Sequence, residues 1–178
     1  MKKQFSNLIF LSLLILSTLL ACSASIDVSI SPAQDTITEI QDVPSGDPVI
    51  EDDQAAVIGV SITGAEQNYT FSVTIESPDT GCDQYADWWE VFTADGVLVY
   101  RRILGHSHVD EQPFTRSGGI LAIGGDDFVY IRGHQNNLGY GSRVFSGTIN
   151  GGLVADTLDV SFAAELMTQS PLPTNCAY

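Results

Sequence analysis

From residue 55 onward the chain is built of short apolar runs that alternate with polar residues and are cut by Gly, Asn, Asp or Pro. A strand points successive side chains to opposite faces, so this period-two pattern suits half-buried strands and not helices. Tyr69, Phe71, Val73 and Ile75 fall on one face of such a strand, and Thr70, Ser72 and Thr74 on the other. Residues 57–63 repeat the pattern, and residues 64–68 predict the turn between the two. Further strands are predicted over 86–93, 97–104, 120–123, 128–132, 143–149 and 157–163. Helical periodicity is confined to one turn at 163–167. Gly118-Gly119 and Gly139-Tyr140-Gly141 precede neither a helix nor a Lys and read as turns, not phosphate cradles.

Asp95-Gly96 favours a two-residue hairpin turn with positive φ. That turn sets Ala94 opposite Val97 and so pairs Phe92 with Val99, Glu90 with Arg101, Trp89 with Arg102 and Trp88 with Ile103. An ion pair and a cation–aromatic pair follow from the count. One of the two tryptophans is expected to fill an inter-sheet core and the other to be half exposed. Seven or eight short strands so spaced predict an all-β fold, an antiparallel immunoglobulin-like β-sandwich over 55–178.

Ahead of this domain the composition changes. Residues 23–54 hold eight acidic residues, no basic residue and no aromatic. Too little apolar surface is available there to offset chain entropy, so a disordered acidic tether is expected over 22–54. The first 21 residues combine Lys2 and Lys3 with an uncharged run from Leu8 to Leu20 and then Ala21. The run is shorter than the roughly 20 apolar residues a spanning helix needs, which predicts a cleaved leader.

Leu19, Ala21 and Cys22 close that leader in a pattern that resembles the lipobox of bacterial lipoproteins. The resemblance implies cleavage before Cys22, fatty acylation of Cys22 and attachment to a bacterial cell envelope. Ser23 in place of Asp implies an outer membrane where the source has two. A buried thiol in an ordinary secretion signal is the competing reading. With the leader gone, five basic residues, all Arg, face 22 acidic ones, a net charge of −17. Such a chain is repelled by nucleic acid and by anionic lipid headgroups.

Cys82 and Cys176 then remain as an even pair in an oxidising compartment, which predicts a disulfide. It would close a loop of about 95 residues and add several kcal/mol. Neither cysteine belongs to a C-x-x-C pair, which argues against a thiolate metal site. Residues 81–91 and 101–114 together resemble a group of uncharacterised small secreted or lipid-anchored bacterial β-domains, a resemblance that implies no activity.

The chemistry-bearing residues concentrate in one half of the domain. His106 and His108 share a face of an extended segment, and His134 from another strand could join them around zinc, copper or iron, with Glu111 or Asp110 completing the shell. The same histidines also suit an exposed polar loop bonded to backbone or water. The segment resembles the cupin metal motif, but Glu111 follows too closely and His134 lacks the expected flanking pattern. No Ser sits in a G-x-S-x-G elbow, and adjacent Asp126 and Asp127 face opposite ways on a strand, so no hydrolase is predicted. Arg102, a half-exposed Trp89 and Tyr140 could form a binding face for an acidic ligand, glycan or protein. The arginines could equally neutralise neighbouring acids. The sequence thus favours a lipid-anchored binding module over a metal-dependent protein.

Overall fold

The computed structural model describes residues 54–177. The leader, Cys22 and nearly all of the acidic segment lie outside the described residues. The domain is an all-β sandwich of two antiparallel sheets. One contains β1 (Ala56–Ala65), β2 (Asn68–Glu76) and β5 (Phe114–Leu121) in the order β1-β2-β5. The other contains β3 (Ala86–Thr93), β4 (Leu98–Ile103), β6 (Val129–Gln135), β8 (Arg143–Thr148) and β9 (Gly152–Thr157) in the order β4-β3-β6-β8-β9. The short β7 (Gly139–Tyr140) pairs with β6.

β2 shows how the alternation works. Tyr69, Phe71, Val73 and Ile75 are buried in the inter-sheet core with Trp89, Val91, Phe114, Leu121, Val129 and Ile131. On the opposite face hydroxyls pair across to β5, Ser72 with Ser117 at 2.7 Å and Thr74 with Thr115 at 2.8 Å. Cross-strand pairs of this kind add a few tenths to about 1 kcal/mol each. The turn from β1 to β2 is tighter than predicted, because Ala65 already pairs with Asn68 and only Glu66 and Gln67 lie between.

The β3–β4 hairpin reaches the predicted register by a different route. Gly96 N–H donates to the Thr93 carbonyl and Gly96 has φ 76°, so the loop has three residues, with Gly in the left-handed position. Phe92 therefore opposes Leu98 and not Val99. A second irregularity between Val91 and Phe92 restores the pairs Glu90–Arg101, Trp89–Arg102 and Trp88–Ile103.

Two predicted strands move. Of the predicted strand at 120–123 only Ile120 and Leu121 are strand, the end of β5, which starts at Phe114 and runs through Gly118-Gly119. A Cβ at Gly118 would lie 2.6 Å from the Tyr100 hydroxyl and 3.0 Å from the Trp89 ring, so glycine there makes room for two core aromatics. The predicted strand at 157–163 gives way to β9 and then a turn. Asp159 Oδ1 accepts from the Ser161 N–H and hydroxyl, and the Asp159 carbonyl accepts from Phe162 N–H, which bends the chain.

After that bend, residues 158–177 form a strap over the outer face of the larger sheet, including a 3-10 turn at Ala164–Thr168. Arg101 donates to the carbonyls of Leu166, Gln169 and Pro171, and Arg132 to those of Phe162 and Ala163. Both guanidiniums also grip Glu90, whose side chain is fully buried. Covered on both faces, β3 is buried from Ala86 to Phe92. The strap is tied at its far end by the expected Cys82–Cys176 disulfide, Cα–Cα 5.7 Å.

Candidate functional site

The loop that leaves β4 is positioned by one buried carboxylate. Asp79, between β2 and β3, accepts from Ser77 Oγ at 2.6 Å and Ala86 N–H at 2.9 Å through Oδ1, and from His108 N–H at 2.8 Å through Oδ2. Gln112 adds a second brace: its Nε2 donates to the His108 carbonyl and its Oε1 accepts from Ser77 N–H. Asp79 is bound through backbone amides that need a fixed acceptor, so the loop is built rather than loose.

These braces set the His108 ring flat on Phe114, 3.7 Å between centroids and 9° between planes. The residue is 3 % exposed, and neither ring nitrogen has a hydrogen-bond partner. Asp79 Oδ2 stands 3.8 Å from Nδ1, too far for a hydrogen bond. Burial, then the positive charge of Arg116 and of His106, pushes the imidazole down to about 4, so it is neutral at physiological pH. The Ser107 hydroxyl is likewise buried without a partner.

An open cleft of about 560 Å³ lies against these groups, lined by His106 to Glu111 and by Ala177 at the end of the strap. Ala177 N–H donates to the Gly105 carbonyl at 2.8 Å, and His106 forms a parallel bridge with Ala177. At the rim, Arg116 binds Glu111 through two bonds of 3.2 and 2.7 Å, and that contact lowers the Glu111 pKa. The His108 ring nitrogens and the Ser107 hydroxyl lie sealed beneath this lining, so a small polar group in the cleft reaches them only when the lining shifts.

The three predicted metal-binding histidines do not come together. His106 and His108 are neighbours, ring centroids 4.4 Å apart, but His134 is committed elsewhere. Its ring stacks on Trp88 at 3.6 Å, meets Tyr140 edge-on, and its Nδ1 bonds Asp87 at 2.6 Å. Glu111 is engaged by Arg116. Among the described residues no group of three or more His, Cys, Asp or Glu is placed to hold a metal ion.

The predicted face of Arg102, Trp89 and Tyr140 is also not assembled. Trp89 is fully buried in the inter-sheet core, not half exposed, because β5 glycine lets the second sheet close over it. Trp88 is buried too, on the opposite face, so neither tryptophan is half exposed. Tyr140 lies under Arg132, 3.3 Å from guanidinium to ring centroid, with burial and then the Glu90 charge holding its hydroxyl above the ordinary phenol range. Arg102 alone is exposed. Arg102 does not stack on Trp89 as predicted; on the opposite face of the hairpin Arg101, the diagonal neighbour of Trp88, lies over the Trp88 ring at 4.5 Å. Arg101 and Arg132 thus neutralise Glu90 and bind the strap.

Sequence reasoning missed Asp79, Ser77, Gln112 and Ser107. Ser77-Pro78-Asp79 is a turn signature that could have flagged the first two, since Asp side chains in turns bond nearby backbone amides. Nothing local marked Gln112, which acts across 35 positions.

No family model matches the chain, and no solved structure matches it. It is similar to a protein named "Putative lipoprotein" from Halomicrobium mukohataei, with 38 % identity over 121 residues. The match covers 67 % of this chain and 55 % of the relative, so the chain spans about half the relative's length. That relative comes from an archaeon and lends no support to a bacterial origin. Among the described residues no helix is long and apolar enough to cross a membrane.

Proposed function

We propose that this protein is a lipid-anchored envelope β-sandwich that acts as a binding module, with the His106–Glu111 cleft as its ligand site. One observation carries the binding role: His108 is buried beneath the lining of an open cleft with both ring nitrogens unpartnered, within reach of a ligand once that lining shifts. An orphaned buried polar group costs about 1–3 kcal/mol, which a ligand that both donates and accepts would recover. A glycan or polar protein segment has that chemistry, and the net charge of −15 for the full chain disfavours nucleic acid. The lipobox-like leader and the similarity to a lipoprotein support attachment through Cys22. Which membrane carries it depends on the source; an outer membrane applies only to a two-membraned cell. The strand order β1-β2-β5 against β4-β3-β6-β8 supports reading the sandwich as immunoglobulin-like.

Two measurements test this. Mass spectrometry of the mature amino-terminal peptide should find acyl chains on Cys22, and Cys22→Ser should move the protein from the detergent to the aqueous phase; an unmodified thiol refutes the anchor. Titration with a panel of soluble oligosaccharides and peptides should shift the His106 and His108 ring signals, with the His106 shift lost in His108→Phe. A panel that leaves the ring signals unmoved refutes the site.

A further inference from the structure

The strap is fastened in two unequal parts. Residues 162–171 are held by five guanidinium–carbonyl bonds from Arg101 and Arg132, all on buried side chains. The part beyond is different. Leu172, Thr174 and Asn175 are exposed, and Cys176 is half-buried. Among the described residues the polar and covalent ties of this last part to the sheets are the Cys82–Cys176 bond and the Ala177 N–H bond to Gly105. Ala177 is also a wall of the His106–Glu111 cleft. The disulfide therefore fixes a wall of the cleft, while the arginines keep the rest of the strap in place.

We propose that the Cys82–Cys176 bond is a redox latch on this cleft: oxidised, it seats Ala177 against Gly105 and His106; reduced, it lets residues 172–177 leave and opens the cleft toward His108. The reductant is a dithiol, and both cysteines are half-buried, within reach of one. One dithiol thiolate attacks a cysteine sulfur, the S–S bond breaks, and the other cysteine leaves as a thiolate that takes a proton. The second dithiol sulfur then displaces the first cysteine, so that the protein gains two thiols and the dithiol becomes a disulfide. Loss of the covalent tie leaves one hydrogen bond, at Ala177, to hold the segment. A single exposed bond is worth about 0.5–1.5 kcal/mol, too little to order six residues. The titratable and charged groups that face His108 are Asp79 before β3, Arg116 on β5, and His106 and Glu111 on its own loop.

This latch rests on the reading of the cleft as a ligand site, but its test needs no ligand. Amide hydrogen exchange on the whole protein, followed by mass spectrometry, would compare the oxidised form, the form reduced with dithiothreitol, and the variant Cys82→Ser/Cys176→Ser. Reduction and the variant should each speed exchange at least tenfold in residues 105–111 and 172–177, leaving β3, β6 and 162–169 protected, and oxidised glutathione should reverse the reduced form. In parallel the His108 ring titration should rise toward its ordinary value. Unchanged exchange at 105–111 in a demonstrably reduced protein overturns the latch. So does loss of protection throughout, which makes the bond a general stability element, or a bond that dithiothreitol does not reduce in the folded protein. A failed ligand panel with a working latch would count against the ligand site alone.

Discussion

Replacing Glu90 by Gln tests the buried cluster that fastens strap to sheet. The carboxylate accepts from Arg101 Nε at 2.8 Å, from Arg101 Nη2, and from Arg132 Nε at 2.8 Å, all with essentially no exposure. Glutamine keeps one acceptor oxygen but turns the other into a donor aimed at a guanidinium, and it removes the negative charge paired with both cations. Three charge-assisted bonds at about 1.5–3 kcal/mol each would sum to more than the observed cost of such changes, because effects within one network are not additive. Breaking a buried ion pair from one side costs about 3–5 kcal/mol, and that range is expected here. With an unfolding entropy near 2.1 cal/mol/K per residue, a domain of this size should lose roughly 12–19 °C in Tm. Urea unfolding followed by tryptophan fluorescence, with calorimetry alongside, measures both. Many buried ion triads can be replaced by apolar residues without loss. Here the triple change Glu90→Leu/Arg101→Met/Arg132→Leu should still destabilise, because five strap carbonyls lose their donors. A cost below about 1 kcal/mol for Glu90→Gln, or a stable triple variant with its strap protected, would refute the account.

Acid should weaken the domain through His108. Its folded value near 4 lies below the unfolded 6.5, so the unfolded state binds the proton first; stability is full above about pH 6.5 and falls until about pH 4. At about 1.4 kcal/mol per pH decade the loss is roughly 3–4 kcal/mol, and His108→Phe should flatten this part of a stability–pH profile measured by urea unfolding. Gly141→Ala should cost more than about 2 kcal/mol, since its Cβ would meet the Ala55 carbonyl oxygen at 2.2 Å, backbone that cannot move aside. Thermal unfolding checks it, and a loss within experimental error would show that the start of β1 can shift.

β2 was legible because one face meets the core in strict alternation, a local property, and β3 because a mostly apolar run leads into the Asp95-Gly96 turn. The pairing of Glu90 with Arg101 was also legible, although two irregularities that cancel lie between it and the turn. β5 was not: Gly118 and Gly119 look like punctuation until Trp89 and Tyr100 arrive from the other sheet. The strap was invisible for another reason, since Arg101 and Arg132 bind main-chain oxygens and no side-chain pattern records that. Three histidines of one residue type were grouped by proximity in sequence; Phe114 and Trp88 separate two of them by giving each ring a different stacking partner. What marks His108 is the pairing of burial with unmet hydrogen-bonding capacity, a property of three dimensions.

Recognition of the strap through carbonyl oxygens also bears on how this protein can diverge. Every residue type carries such an oxygen, so the two arginines impose a path on residues 162–171 without dictating their identities. Val160, Phe162, Met167 and Leu172 already present more than a third of their surface outward. The ribbon can therefore exchange its outer chemistry, substitution by substitution, while the docking beneath it stays the same.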